Sequence, residues 1–150
     1  RDSFREAVKH TSEEQGAPML SQQVLSAASA AERQMYLALT EVEDLTQELA
    51  QAIERQDQVS VRLFLSLRQT QINRLTEQKA LLQHLCSQLP AESAALLQGI
   101  LSGTPPSSCP EAEELSRQVE RNRILLERVL RADRRSSQRL CGRDSFYGTR

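Results

Sequence analysis

The sequence predicts an all-α protein: an elongated antiparallel helical bundle or coiled coil of three long helices plus one short helix. Three observations predict it. The 150 residues draw mainly on Leu, Ala, Gln, Glu, Arg and Ser, most of which lose little side-chain freedom in a helix. Aromatic residues make up 3% and tryptophan is absent, so the side chains that strands favour are scarce. Apolar residues recur at alternating three- and four-residue steps, the spacing of a helix packed along a neighbour.

Residues 1–18 are polar and end in Gly16-Ala17-Pro18; they read as a flexible N-terminal segment ahead of a bundle domain over 19–142. The first long helix is expected over about 19–56, with a seam through Val24, Ala28, Ala31, Met35, Ala38, Val42, Leu45, Leu49 and Ala52. Leu39 and Ile53 widen this stripe, which calls for more than one neighbour. The pattern pauses at Arg55-Gln56-Asp57, and Asp57 is an N-cap type whose carboxylate accepts the free amides of the next turn. The second helix, over about 57–89, carries Val61, Leu65, Ile72, Leu75, Leu82, Leu85 and Leu89, with Arg68 and Lys79 interrupting the seam. Two long helices joined by so short a turn are antiparallel neighbours.

Pro90 stops or restarts a helix, and residues 91–101 read as the short one. A Pro- and Gly-rich linker follows over 102–110. Pro110 with Glu111, Glu113 and Glu114 is a good helix start, since acids favour the positive end of the helix dipole. The third long helix has Leu115, Val119, Asn122, Leu126 and Val129 on its seam, with Ile124, Leu125 and Leu130 beside them, and is expected to end near Gly142. Residues 143–150 read as a flexible tail bearing Phe146 and Tyr147.

Charge is unevenly spread. Residues 1–116 hold nine Lys and Arg against sixteen Asp and Glu, a net of −7, whereas 117–150 hold ten Arg against four Asp and Glu, a net of +6. A basic C-terminal third fits an acidic protein, an anionic lipid surface, nucleic acid, or neutralisation of the chain's own acids by packing. Nucleic acid fits least, because no aromatic residues interleave the arginines and no finger, RRM or KH signature is present.

Enzyme chemistry finds no foothold. There is no phosphate-cradling glycine loop, no nucleophile elbow and no HExxH pattern around His10 or His84. Cys86, Cys109 and Cys141 are an odd count without a CxxC pair, which argues against a disulfide framework or a zinc site and for a reducing, cytoplasmic setting. Neither a cofactor nor a metal is expected. No apolar run approaches the roughly 20 residues of a membrane span, and residues 1–18 lack the apolar core of a secretory signal.

Two features point to partner binding. Asn122 is a polar residue on an apolar seam, where it either fixes register and partner choice or simply bonds a backbone group or water. Beyond Val129 the seam softens while the aromatics Phe146 and Tyr147 follow, the mark of an anchor for a partner helix or of an ordinary free terminus. The chain is expected to be a monomer or weak dimer; the alternative role is a structural coiled-coil scaffold or self-associating subunit, for which a stable dimer is expected.

Three stretches carry a family resemblance: Leu39 through Leu45 with the acidic-amide helix after it, Leu75-Thr76-Glu77-Gln78-Lys79-Ala80-Leu81-Leu82, and Asn122-Arg123-Ile124-Leu125-Leu126 followed by a terminal Tyr-Gly. With their order along the chain, they make residues 20–150 resemble the FlgN-like flagellar export chaperones of bacteria. The resemblance implies a non-enzymatic, cytoplasmic chaperone that binds C-terminal helical segments of the hook-associated, hook–filament junction proteins and delivers them to the flagellar type III export gate. It implies Asn122, Leu125, Leu126, Val129 and Leu130 as contacts to the client helix, and Tyr147 with Phe146 as contacts to the gate. The polar N-terminal segment and the arginine-rich third helix depart from the family pattern.

Overall fold

A computed structural model describes residues 20–104 and 109–147, without the side chains of residue 136 and residues 139–147. Among them are four helices and no strand: α1 (Gln22–Glu54), α2 (Gln58–Ser87), α3 (Ala91–Leu101) and α4 (Pro110–Tyr147). The expected flexible segment 1–18 lies outside the described residues. The last helix runs past Gly142 to Tyr147, whereas the sequence reading stopped it at the glycine. One glycine costs about 1 kcal/mol in a helix interior, which flanking helical residues can offset.

Each boundary has a local cause. Ser21 caps α1, its Oγ accepting the Val24 amide at 3.1 Å. At the other end the Asp57 amide donates to the Ala52 carbonyl (2.9 Å) and the Gln56 amide to the Ile53 carbonyl (3.0 Å). This paired closure places Gln56 in the left-handed region, φ 58°. Asp57 then caps α2 as expected: its Oδ1 accepts the Ser60 amide at 3.1 Å and its Oδ2 the Ser60 hydroxyl at 2.6 Å. These two bonds stabilise the carboxylate and hold its pKa below the usual value. The same closure ends α3, with Thr104 donating to Gly99 and Gly103 to Ile100; there the left-handed position belongs to Gly103, φ 103°.

α1 is the central rod, packed against both α2 and α4. The three-residue turn makes α2 antiparallel to α1. α4 runs parallel to α1, since Ser29 meets Gln118, Glu32 meets Asn122 and Glu43 meets Arg128. α3 sits at one end of the bundle. There Leu97 and Ile100 fill a cluster with Leu25, Ala28, Ala31, Leu82, Cys86, Ala112, Leu115 and Val119. Alanines on α1 let the neighbouring helices approach closely, while leucines fill the layer. A second cluster, Leu39, Val42, Leu125 and Val129, lies further along, with Tyr36, Ile72 and Leu75 packed against it.

The packing is lopsided. α1 buries twelve residues, α2 only Leu82 and Cys86. The rest of the expected second seam, Val61, Leu65, Ile72, Leu75, Leu85 and Leu89, is half-buried, and Lys79 is exposed. Among the described residues no Cα of α2 comes within 8 Å of one on α4. The two outer rods flank α1, and the space between them is bridged by side chains: Ile72 and Leu75 of α2 pack against the second cluster, and Arg68 meets Asp133.

Candidate partner-binding surface

The α1–α4 contact is stitched by polar groups. Asn122 Nδ2 donates to the Glu32 backbone carbonyl at 2.8 Å and to Glu32 Oε2 at 2.7 Å. Both residues are buried. Burial raises the Glu32 pKa above the usual carboxylate value, opposed in smaller measure by the Asn122 bond. Asn122 Oδ1 is buried without a partner. One turn earlier, Ser29 Oγ donates to buried Gln118 Oε1 at 2.7 Å. Further along, the Arg121 guanidinium lies 3.8 Å over the Tyr36 ring, and Arg128 forks onto Glu43, with Nη2 to Oε1 at 3.0 Å. This ladder fixes the register of α4 on α1. Of the two roles the sequence left open for Asn122, the geometry shows the bond to a backbone group, made together with one to the Glu32 carboxylate.

The client contacts implied by the resemblance therefore fall into two groups. Asn122, Leu125 and Val129 face inward, buried against α1. They are unavailable to a partner in this arrangement, because α1 already covers them. The α4 seam passes through Leu125, where the sequence reading had put Leu126. Leu126 is 42% exposed and Leu130 47% exposed. One turn apart, they stand on the same flank of α4. Phe146 and Tyr147 lie on the last turn of α4, and their side chains are outside the described residues.

Between α2 and α4, the half-buried Ile72 and Leu75 of α2 pack against the cluster of Leu125 and Val129. Arg68 spans the two helices. Its Nη1 stands 2.6 Å from Asp133 Oδ1 of α4 and donates to Thr46 Oγ1 of α1 at 3.4 Å. The surface thus sets the exposed Leu126 and Leu130 close to a charged crosspiece between α2 and α4. The sequence reading placed Ile72 and Leu75 on the α2 seam without distinguishing half-buried from buried positions along it. It missed Glu32 although Ala28, Glu32, Met35 and Leu39 repeat the three-four spacing. Among the described residues no His, Cys, Asp and Glu cluster could hold a metal ion, and no helix is long and apolar enough to cross a membrane. Comparisons with protein-family models, with curated proteins and with solved structures find no match to this chain.

Proposed function

We propose that this chain is a cytoplasmic, non-enzymatic flagellar type III export chaperone that shelters an amphipathic helix of a hook-associated protein on the exposed leucine flank of α4. The observation that carries the reading is the exposed pair Leu126 and Leu130 on α4, next in sequence to Leu125 and Val129, against whose cluster the half-buried Ile72 and Leu75 of α2 pack. A client helix with apolar residues at successive turns would find apolar contacts there, with Arg68 and Asp133 to orient its polar edge. A holdase needs no catalytic group, and binding through side chains alone leaves the client intact for release. The resemblance in sequence supplies the identity of the client and of the gate, with Phe146 and Tyr147 as the proposed gate contact.

The test is a calorimetric titration of the full chain with the C-terminal helical segment of a hook-associated protein. Leu126→Asp with Leu130→Asp is expected to weaken binding tenfold or more, roughly 1.4 kcal/mol or above, while the thermal melt stays that of the parent. An unchanged affinity in a normally folded double variant, or no binding by the parent chain, overturns the reading.

A further inference from the structure

A second surface lies on the other side of α2. Gln34, Leu37, Glu41, Gln71, Arg74 and Glu77 line a cleft of about 520 Å³ between α1 and α2. The helical repeat extends its two walls. On α1, Asp44 and Glu48 continue the row of Leu37 and Glu41 at steps of three and four. On α2, Leu67 and Leu63 continue the row of Arg74 and Gln71. The Arg68–Thr46 bond sets the register and brings Leu67 level with Gln47 and Glu48. Leu37 is 60% exposed, Leu63 53%. Glu41, Asp44, Glu48 and Glu77 are exposed and have no ion pair among the described residues. Arg74 is the cation of the cleft lining.

The matching surface is on α4. Its earlier arginines are all engaged within the chain: Arg117 with Glu114, Arg121 with Tyr36, Arg123 with Glu120 and Glu127, Arg128 with Glu43. Arg131, Arg134 and Arg135 are exposed and have no partner among the described residues. Leu130 stands one turn before Arg134. One face therefore offers leucines among unpaired acids, and the other offers a leucine among unpaired arginines.

We propose that the α1–α2 face binds the arginine-bearing flank of α4 from a second copy of this chain. Both halves of the charge match are present on one molecule. The two surfaces are different, so the contact is head-to-tail, and successive copies add to a ring or a short row where a two-fold dimer would stop at two. Leucines on both surfaces supply the buried apolar area, and the charges set orientation and make the contact salt-sensitive.

Sedimentation velocity of the full chain tests this. The parent is expected to associate with a Kd on the order of 10 µM at low salt, to exceed the dimer as concentration rises, and to weaken roughly tenfold or more in about 0.5 M NaCl. Glu41→Lys with Asp44→Lys and Glu48→Lys should abolish self-association, as should Arg131→Glu with Arg134→Glu and Arg135→Glu. Mixed together, unlike copies meet with opposite charge at both junctions, one parental and one with the signs exchanged, so association between unlike copies should recover. A parent chain that stays monomeric across this range overturns the proposal. So does persistent association of either folded variant, or failure of the mixture to recover association.

Discussion

Arg68 Nη1 of α2 stands 2.6 Å from Asp133 Oδ1 of α4, and the same guanidinium reaches Thr46 of α1. One side chain therefore touches all three long helices. The Arg68 side chain is only 14% exposed, so its charge depends on that carboxylate more than a surface arginine would. Asp133 Oδ1 has no aligned hydrogen bond, which leaves the attraction largely coulombic.

Removing Asp133 should therefore cost more than removing the pair's charge from the arginine end. Asp133→Asn is expected to destabilise the bundle by about 1 kcal/mol, because a partly buried cation loses its partner. Arg68→Met should cost less, since the apolar stem still packs between the helices. Urea titrations of both variants at low and high salt check the order. An Asp133→Asn variant as stable as the parent at low salt would remove the tie from the account.

The register of α4 predicts a sharp contrast between adjacent leucines. Leu125→Ala empties a buried site in the second cluster and should cost about 2–5 kcal/mol. Leu126→Ala removes an exposed side chain and should stay within about 0.5 kcal/mol of the parent. Thermal melts of the two single variants measure the difference. Equal losses would mean that the seam runs between the two residues. Any binding assay using Leu125→Ala reads folding as well as contact.

The helices were legible for local reasons. Asp57 marks a cap, Pro90 and Pro110 mark starts, and the three-four repeat of α1 marks a long rod; α3 falls on residues 91–101 as read. The two-neighbour role of α1 was also visible in the extra Leu39 and Ile53. What stayed hidden depends on relations between helices. Whether Leu125 or Leu126 faces α1 is a matter of about 100° of rotation, and both are leucine. Lys79 looked like a break in the α2 seam because a strict repeat was continued across it, whereas the real helix turns that position to solvent. How deeply the α2 seam is buried could not be read at all, since a half-buried Ile72 and a buried one have the same letter. Glu32 was hidden by chemistry: a carboxylate on a helix is usually solvated, and only the opposing Asn122 makes its burial tolerable.

That buried carboxylate gives a signed pH dependence. Burial raises the Glu32 pKa above its usual value of 4.5. Its contribution is therefore fully present below the unfolded pKa and is lost as pH rises through the folded value, because the ionised form is disfavoured inside. Glu32→Gln abolishes this loss, and the amide can also donate to the unpartnered Asn122 Oδ1. Relative to the parent, the variant should gain stability between pH 4 and pH 7 and show no gain at the acid end. Asn122→Ala should do the reverse, costing about 1–3 kcal/mol at neutral pH by leaving the carboxylate unpaired. Chemical denaturation across this range decides, and a Glu32→Gln difference that is flat with pH would show that Glu32 is not desolvated.

The two helix ends closed by the same bond pattern give the last prediction. At the end of α3 the left-handed position is Gly103; at the end of α1 it is Gln56, at φ 58°. A side chain in that region costs about 1–2 kcal/mol through the clash of Cβ with the following carbonyl oxygen. Glycine removes the clash but adds about 0.5–1 kcal/mol of unfolded-state entropy. The balance favours Gln56→Gly by roughly 0.5–1 kcal/mol, enough to raise the melting temperature by a few degrees. Gly103→Ala should move the other way, and for backbone reasons alone, since no heavy atom lies within 4 Å of the added Cβ. Melting curves of the two variants form an internal control: a lowered melting temperature for Gln56→Gly alongside a loss for Gly103→Ala would mean that the Gln56 side chain makes a contact worth more than the strain it imposes.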